Sequence, residues 1–161
     1  MDFFRAKILH PKLALLYDYW DSIRCGKAMP TRRDLDPIDI SGLLPHIVLV
    51  DVEDDPLRFR YRLYGTAVAA ARGRDLTGHY LDEPDVSRIT GLTYPSNVKI
   101  VESRRPQLVN APYPADSGNG GYFYRLGLPF SDDEVRVTMI MAGFFQEQQS
   151  LLERRPAASV A

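Results

Sequence analysis

The side chains able to do acid–base, nucleophilic or ligating chemistry are few and scattered. The three histidines, His10, His46 and His79, stand in three separate segments. No two of them have the helical spacing that presents a pair of imidazoles to a metal ion. The single cysteine, Cys25, falls at the end of an N-terminal helical pattern, and no sharp-turn Gly-x-Ser-x-Gly element or phosphate loop is present. Glu53, Asp54 and Asp55 cluster next to Pro56 but lack calcium-loop spacing and a downstream glutamate ligand, so they read as a turn. Arg58, Arg60 and Arg62 form the one local basic patch, read as the wet face of a strand and not as a phosphate contact. The expectation is a chain with no catalytic residues and no metal site.

The totals agree with that expectation. A chain of 161 residues suits one domain, which buries about 70% of its unfolded surface on folding. Hydrophobic residues are 45%, charged residues 25%, and the formal net charge is -1, with no basic surplus for nucleic acid. One cysteine rules out an intrachain disulfide and suits a reducing compartment. No apolar run approaches the roughly 20 residues of a bilayer span, and the N-terminus has no signal-peptide core. A cytoplasmic, untethered protein is expected.

The elements that must position any site follow from periodicity. Pro11 suits the first position of a helix whose apolar stripe, Leu9, Leu13, Leu16, Trp20 and Ile23, steps by four and three, widened by Leu15, Tyr17 and Tyr19 and stopped at Gly26. Part of so wide a stripe can cover the domain's own sheet, and part can pack on a second copy. After a polar linker, Asp36-Pro37 opens a short helix broken at Pro45, and Ile47 to Val52 is a β-branched strand. Phe59, Tyr61 and Leu63 alternate with the three arginines, so one strand face is buried and the other wet. Gly65 and Thr66 lead into a short alanine-rich helix closed by Gly73, and Asp75 to Gly78 forms a second turn. Pro84 begins a helix interrupted at Pro95 and resumed to Pro106. A strand from Gln107 to Tyr113, a loop of turn formers from Pro114 to Gly121, and two strands joined at Ser131 to Glu134 complete a meander. Val135, Val137, Met139 and Met141 are expected on one face of the last strand, and residues 147–161 as a flexible tail.

The order strand, short helix, turn, longer helix and three-stranded meander resembles a PAS domain, in particular the small, near single-domain PAS family of alphaproteobacteria. Tyr61-Arg62-Leu63-Tyr64-Gly65-Thr66, Gly73-Arg74-Asp75-Leu76-Thr77-Gly78, Asp36-Pro37-Ile38-Asp39-Ile40 and Leu43-Leu44-Pro45-His46 carry the resemblance, over roughly residues 10 to 146. It implies an α+β fold: a five-stranded antiparallel sheet with helices on one face and an N-terminal amphipathic helix. The implied units are residues 1–26, a helix for packing or dimerisation through Leu9, Leu13, Leu16, Trp20 and Ile23, and residues 27–146, the PAS-like domain.

The resemblance further implies a non-enzymatic sensory module that holds a small molecule in a cavity and relays through a protein partner such as a histidine kinase. No specific cofactor is assigned. Haem would have only His79 near the cavity helix. The stretch from Gly65 to Tyr80 lacks the cysteine that flavin photosensing of the light-oxygen-voltage type needs. Tyr61, Tyr64, Tyr80, Tyr122, Tyr124, Met139 and Met141 are the candidate cavity walls, and Arg72 or Arg125 the candidate fork for a ligand carboxylate. Arg125 has the opposite strand parity from Tyr122 and Tyr124, so both kinds of residue cannot line one pocket from a regular strand. The alternative is an adaptor for protein interactions, its cavity filled by its own side chains.

Overall fold

Five strands form one antiparallel sheet in the spatial order β2-β1-β5-β4-β3 in the computed structural model, which describes residues 1–113 and 121–148. The strands are β1 (Ile47–Glu53), β2 (Arg58–Tyr64), β3 (Gln107–Tyr113), β4 (Gly121–Phe130) and β5 (Met139–Gln148). The chain's first and last strands meet at the centre, β1 beside β5. Non-local pairing of this kind leaves two sheet faces to be covered.

Different helices cover them. On one face lie α2 (Thr66–Arg72), α3 (Pro84–Thr90) and α4 (Thr93–Ser103), above a core that includes Val48, Val50, Phe59, Tyr61, Tyr64, Ile140, Ala142 and Phe144. On the other lies α1 (Pro11–Ile23), whose Leu13, Leu16, Tyr17 and Trp20 pack on Ile47, Leu49, Leu126, Leu128, Phe130, Met139 and Met141. The Trp20 indole donates to the Pro129 carbonyl at 2.9 Å, which satisfies the one polar atom this ring buries. The helix sits directly on the sheet at Gly143, where a Cβ would come within 2.6 Å of Leu13 and 2.7 Å of Leu16.

Of the residues expected to be available for dimerisation, Leu13, Leu16 and Trp20 are therefore committed to the protein's own sheet. Ile23 is half-buried against the same cluster, and only Leu9 points away, 77% exposed.

Four local expectations are corrected. Leu63 is exposed, because the β1–β2 register shifts between Leu49 and Val50: Leu49 faces Leu63 and Val50 faces Tyr61. The extra residue, Arg62, brings Tyr61 and Tyr64 to the same face although they are three apart. Pro95 does not interrupt the helical arm; the break falls at Gly91 and Leu92, and Pro95 stands in the first turn of α4, where its missing N–H costs nothing. Residues 131–138 form a wide turn and not the start of a strand. Asp133 accepts the N–H groups of Val135 and Arg136 at 2.9 and 2.8 Å, which keeps the chain out of the ladder until Met139. Val137 consequently joins the core under α2–α4, while Met139 and Met141 face α1. The loop expected at Pro114 to Gly121 lies outside the described residues except for Gly121, which opens β4; of the tail expected from residue 147, Glu147 and Gln148 instead close β5, and the rest lies outside the described residues. Among the described residues no helix is long and apolar enough to cross a membrane.

Candidate functional site

A cleft of about 450 Å³ opens between the α3–α4 arm and the strands β3, β4 and β5, bordered by Arg72, Arg88, Ile89, Leu92, Phe123 and Gln146. Five of its residues, Arg72, Thr90, Thr93, Arg125 and Phe144, also line a chamber of about 20 Å³ that reaches Tyr61, Tyr64 and Val68. The chamber has room for about one water molecule. Strand alternation decides what faces this space. On β4 the odd positions, Phe123 and Arg125, point inward, and on β5 the even positions, Ala142 and Phe144, do so.

Arg125 is the unusual group. It is 6% exposed, on a central part of β4 between Tyr124 and Leu126. Its Nη1 donates to Ser96 Oγ at 2.9 Å and its Nη2 to Asn97 Oδ1 at 2.5 Å, both in the first turn and a half of α4. Both partners are neutral, and no carboxylate pairs with Arg125 among the described residues. Burial pushes its pKa down to about 10, opposed only by the electrostatic attraction of Tyr61. The Tyr61 hydroxyl is in turn raised by burial, against the lowering influence of Thr90 and Arg125. Asn97 is fully buried, with its amide nitrogen lacking a partner among the described residues. Arg72 is half-buried on the wall. Its Nη1 donates to the Ile89 carbonyl at 3.2 Å, and its guanidinium lies 4.7 Å from the Phe144 ring centre and 5.8 Å from that of Phe123.

The structure brings together four of the nine residues named as cavity candidates, Tyr61, Tyr64, Arg72 and Arg125. The other five lie elsewhere. Tyr80 stands outside, its hydroxyl donating to Glu53 at 2.9 Å and its ring 3.7 Å beneath Arg58. Tyr122 is 42% exposed and Tyr124 meets His10 on the opposite sheet face, because both occupy the even positions of β4. Met139 and Met141 lie under α1 for the same reason of parity on β5. Thr90, Thr93, Phe123 and Phe144 were missed. The signal for Phe123 was its shared parity with Arg125; for the threonines, at the end of α3 and the start of α4, the sequence carries none.

The histidines occupy three separate environments. His10 and His46 flank the Phe145 ring at 4.3 and 4.2 Å on the α1 side. His79 contacts Glu83 at 2.9 Å and Arg74 at 3.3 Å, outside the cleft lining. Two of the three strand arginines are also engaged: Arg58 with Asp82 through two bonds of 2.9 and 2.8 Å, and Arg62 with Asp51 at 2.7 Å.

Comparison with known proteins places this geometry. A sequence model of the PAS domain matches residues 8–84, from just before α1 to the first residue of α3. Among solved structures, the chain is similar to the PAS domain of Bordetella pertussis BvgS, with 17% identity over 74% of this chain and 93% of that one and a TM-score of 0.53. It is also similar to a light-oxygen-voltage domain studied with a flavin analogue, with 11% identity over 72% and 87% and a TM-score of 0.50. No curated protein matches the chain. The fold is that of a PAS-like domain. The matched segment ends before most of the cleft wall, which α3, α4 and β3–β5 supply.

Proposed function

We propose that this PAS-like domain is a non-catalytic sensor that takes a small molecule into the cleft between the α3–α4 arm and the sheet. Its occupancy is passed to a regulatory protein partner, of the histidine-kinase type that the sequence resemblance implies, in the cytoplasm. The observation that carries the reading is the cleft of about 450 Å³, within the range of small-molecule sites, whose walls converge on a buried polar group, Arg125. A ligand there touches the break at Gly91–Leu92 from one side and β4–β5 from the other. It can therefore favour one placement of the arm over another, which is the only way a ligand shifts a conformational equilibrium. Self-association through α1 would use its outer side, where Leu15 is 62% exposed, with Leu9 just before the helix 77% exposed, because its inner side is occupied.

One observation favours the adaptor reading: the inner chamber beside Tyr61 holds only about 20 Å³, so the deepest core is already filled. Native and denaturing mass spectra of the gently purified protein separate the two. A bound mass lost on denaturation, or a metabolite collection that yields a saturable rise in melting temperature, supports the sensor. A bare polypeptide that captures its partner equally well with and without metabolites, and that no metabolite stabilises, assigns the adaptor.

A further inference from the structure

We infer that the ligand of this cleft is a small organic acid, its carboxylate held by Arg125 and Arg72 and its apolar body lying along the Phe123 and Phe144 rings. The inference deepens the sensory reading and rests on it. Three arginines, Arg72, Arg88 and Arg125, line the cleft and its inner chamber, and among the described residues the lining contains no aspartate or glutamate. Other arginines of the fold, such as Arg5, Arg58, Arg62, Arg74 and Arg136, each face a carboxylate at 3.0 Å or less. The most deeply buried arginine thus lacks what these five have. A guanidinium taken out of water with only neutral partners is electrostatically uncompensated, and an incoming anion offsets that cost.

The donor count selects the kind of anion. A guanidinium carries five N–H groups in one plane. Ser96 and Asn97 engage one from each terminal nitrogen of Arg125, so three have no acceptor among the described residues. A planar, two-oxygen acceptor suits a planar fork. Arg72 sits on the same lining, tethered by a single carbonyl contact and free to offer its other donors. The remaining walls set the body of the molecule. Phe123 and Phe144 lie 5.7 Å apart at 28°, with Ile89, Leu92 and Val109 beside them, a surface suited to an apolar or aromatic group. A compact charged head on a flat apolar body matches the shape of the space, narrow at Arg125 and wide outside it.

The test is calorimetry on the full chain with matched probe pairs: benzoate and benzamide, 3-phenylpropionate and its amide, indole-3-acetate and its amide, with inorganic phosphate as a further anion. At least one acid is expected to bind saturably, at least about tenfold more tightly than its amide, the loss expected when a charge-assisted pair is replaced by a neutral one. Arg125→Gln should bring acid and amide to near parity. Arg72→Met, on the half-buried wall, should lower the acid's affinity several-fold and gives an independent reading should Arg125→Gln not fold. Equal binding of acid and amide to the wild type overturns the inference and leaves the sensor standing. Arg125-dependent binding of phosphate, with no acid bound, overturns the carboxylate assignment. Binding of none of the probes, together with a bare native mass, overturns the inference and the sensory reading together.

Discussion

The two faces of the sheet are built from the same strands and put to opposite uses. Toward α1, β4 and β5 present Leu126, Leu128, Phe130, Met139 and Met141, all at most 2% exposed, and Gly143 lets the helix settle directly on the backbone. Toward α3 and α4, the alternate positions present Phe123, Arg125, Ala142 and Phe144, and the helices leave a cleft. A close-packed interior is felt at every methyl group and gives one fixed arrangement. An interior with a buried cation and unfilled space gives up stability that a ligand can restore. The side that anchors the N-terminal helix and the side that leaves a cleft thus differ by one step of strand parity.

The contrast is broken most severely by opening the closed face. Leu16→Ala removes a side chain that is 1% exposed between α1 and Gly143, and it should cost about 2–5 kcal/mol of unfolding free energy. Leu15→Ala, one residue away on the 62% exposed side, should change stability by no more than about 0.5 kcal/mol. Urea unfolding followed by circular dichroism measures both. The Leu16 loss should be independent of protein concentration, because the helix packs on its own sheet. A loss that shrinks as the protein is concentrated would mean that α1 is covered by a second copy.

On the open face the same class of experiment should have the opposite sign. Arg125→Met keeps an unbranched apolar stem and removes the buried charge, at the expense of two hydrogen bonds to Ser96 and Asn97. Without ligand, the variant is expected to range from neutral to about 2 kcal/mol more stable than the wild type. Unfolding midpoints at equal slope decide this. A loss of more than about 3 kcal/mol would make Arg125 a structural strut, held by its polar contacts and not waiting for an anion.

How much of this contrast is legible in the sequence depends on whether strand or helix periodicity is undisturbed. The helix from Pro11, the strands at Ile47, Arg58, Gln107 and Tyr122, and the opposed parity of Arg125 and Tyr124 all follow from regular alternation, and all appear in the fold. Leu63 was misplaced because a bulge at Arg62 reverses parity mid-strand, and nothing in alternating Arg-apolar residues marks it. Met139 and Met141 lie under α1 and not in the cavity expected of them: apolar residues look alike from either side of a sheet covered on both faces. The candidate site itself was half legible. Arg72 and Tyr61 were found, but Thr90, Thr93, Ser96 and Asn97 come together only when the α3–α4 break and β4 are placed in space.

The smallest expected effect concerns the turn that holds the two faces in register. Asp133 lies between β4 and β5, where a slip of one residue would exchange every inward and outward side chain of β5. Its carboxylate accepts the Arg136 and Val135 N–H groups, the Arg136 guanidinium at 3.0 Å and the Ser131 hydroxyl at 3.1 Å, and the backbone bonds foremost hold its pKa well below the usual carboxylate range. A carboxylate with a depressed folded-state pKa contributes stability that is present above its unfolded value, about 4, and fades as the pH falls toward the folded one. Asp133→Asn retains the oxygen that accepts the backbone bonds and removes the charge. The variant should be modestly less stable than the wild type at neutral pH, and the difference should close as the pH drops below about 4. Denaturant midpoints across that range, with the carboxyl carbon resonance of Asp133 titrated in parallel, supply the check. A difference that persists undiminished in acid would assign the turn's contribution to shape alone, and the register that separates Arg125 from Met139 would then owe nothing to this charge.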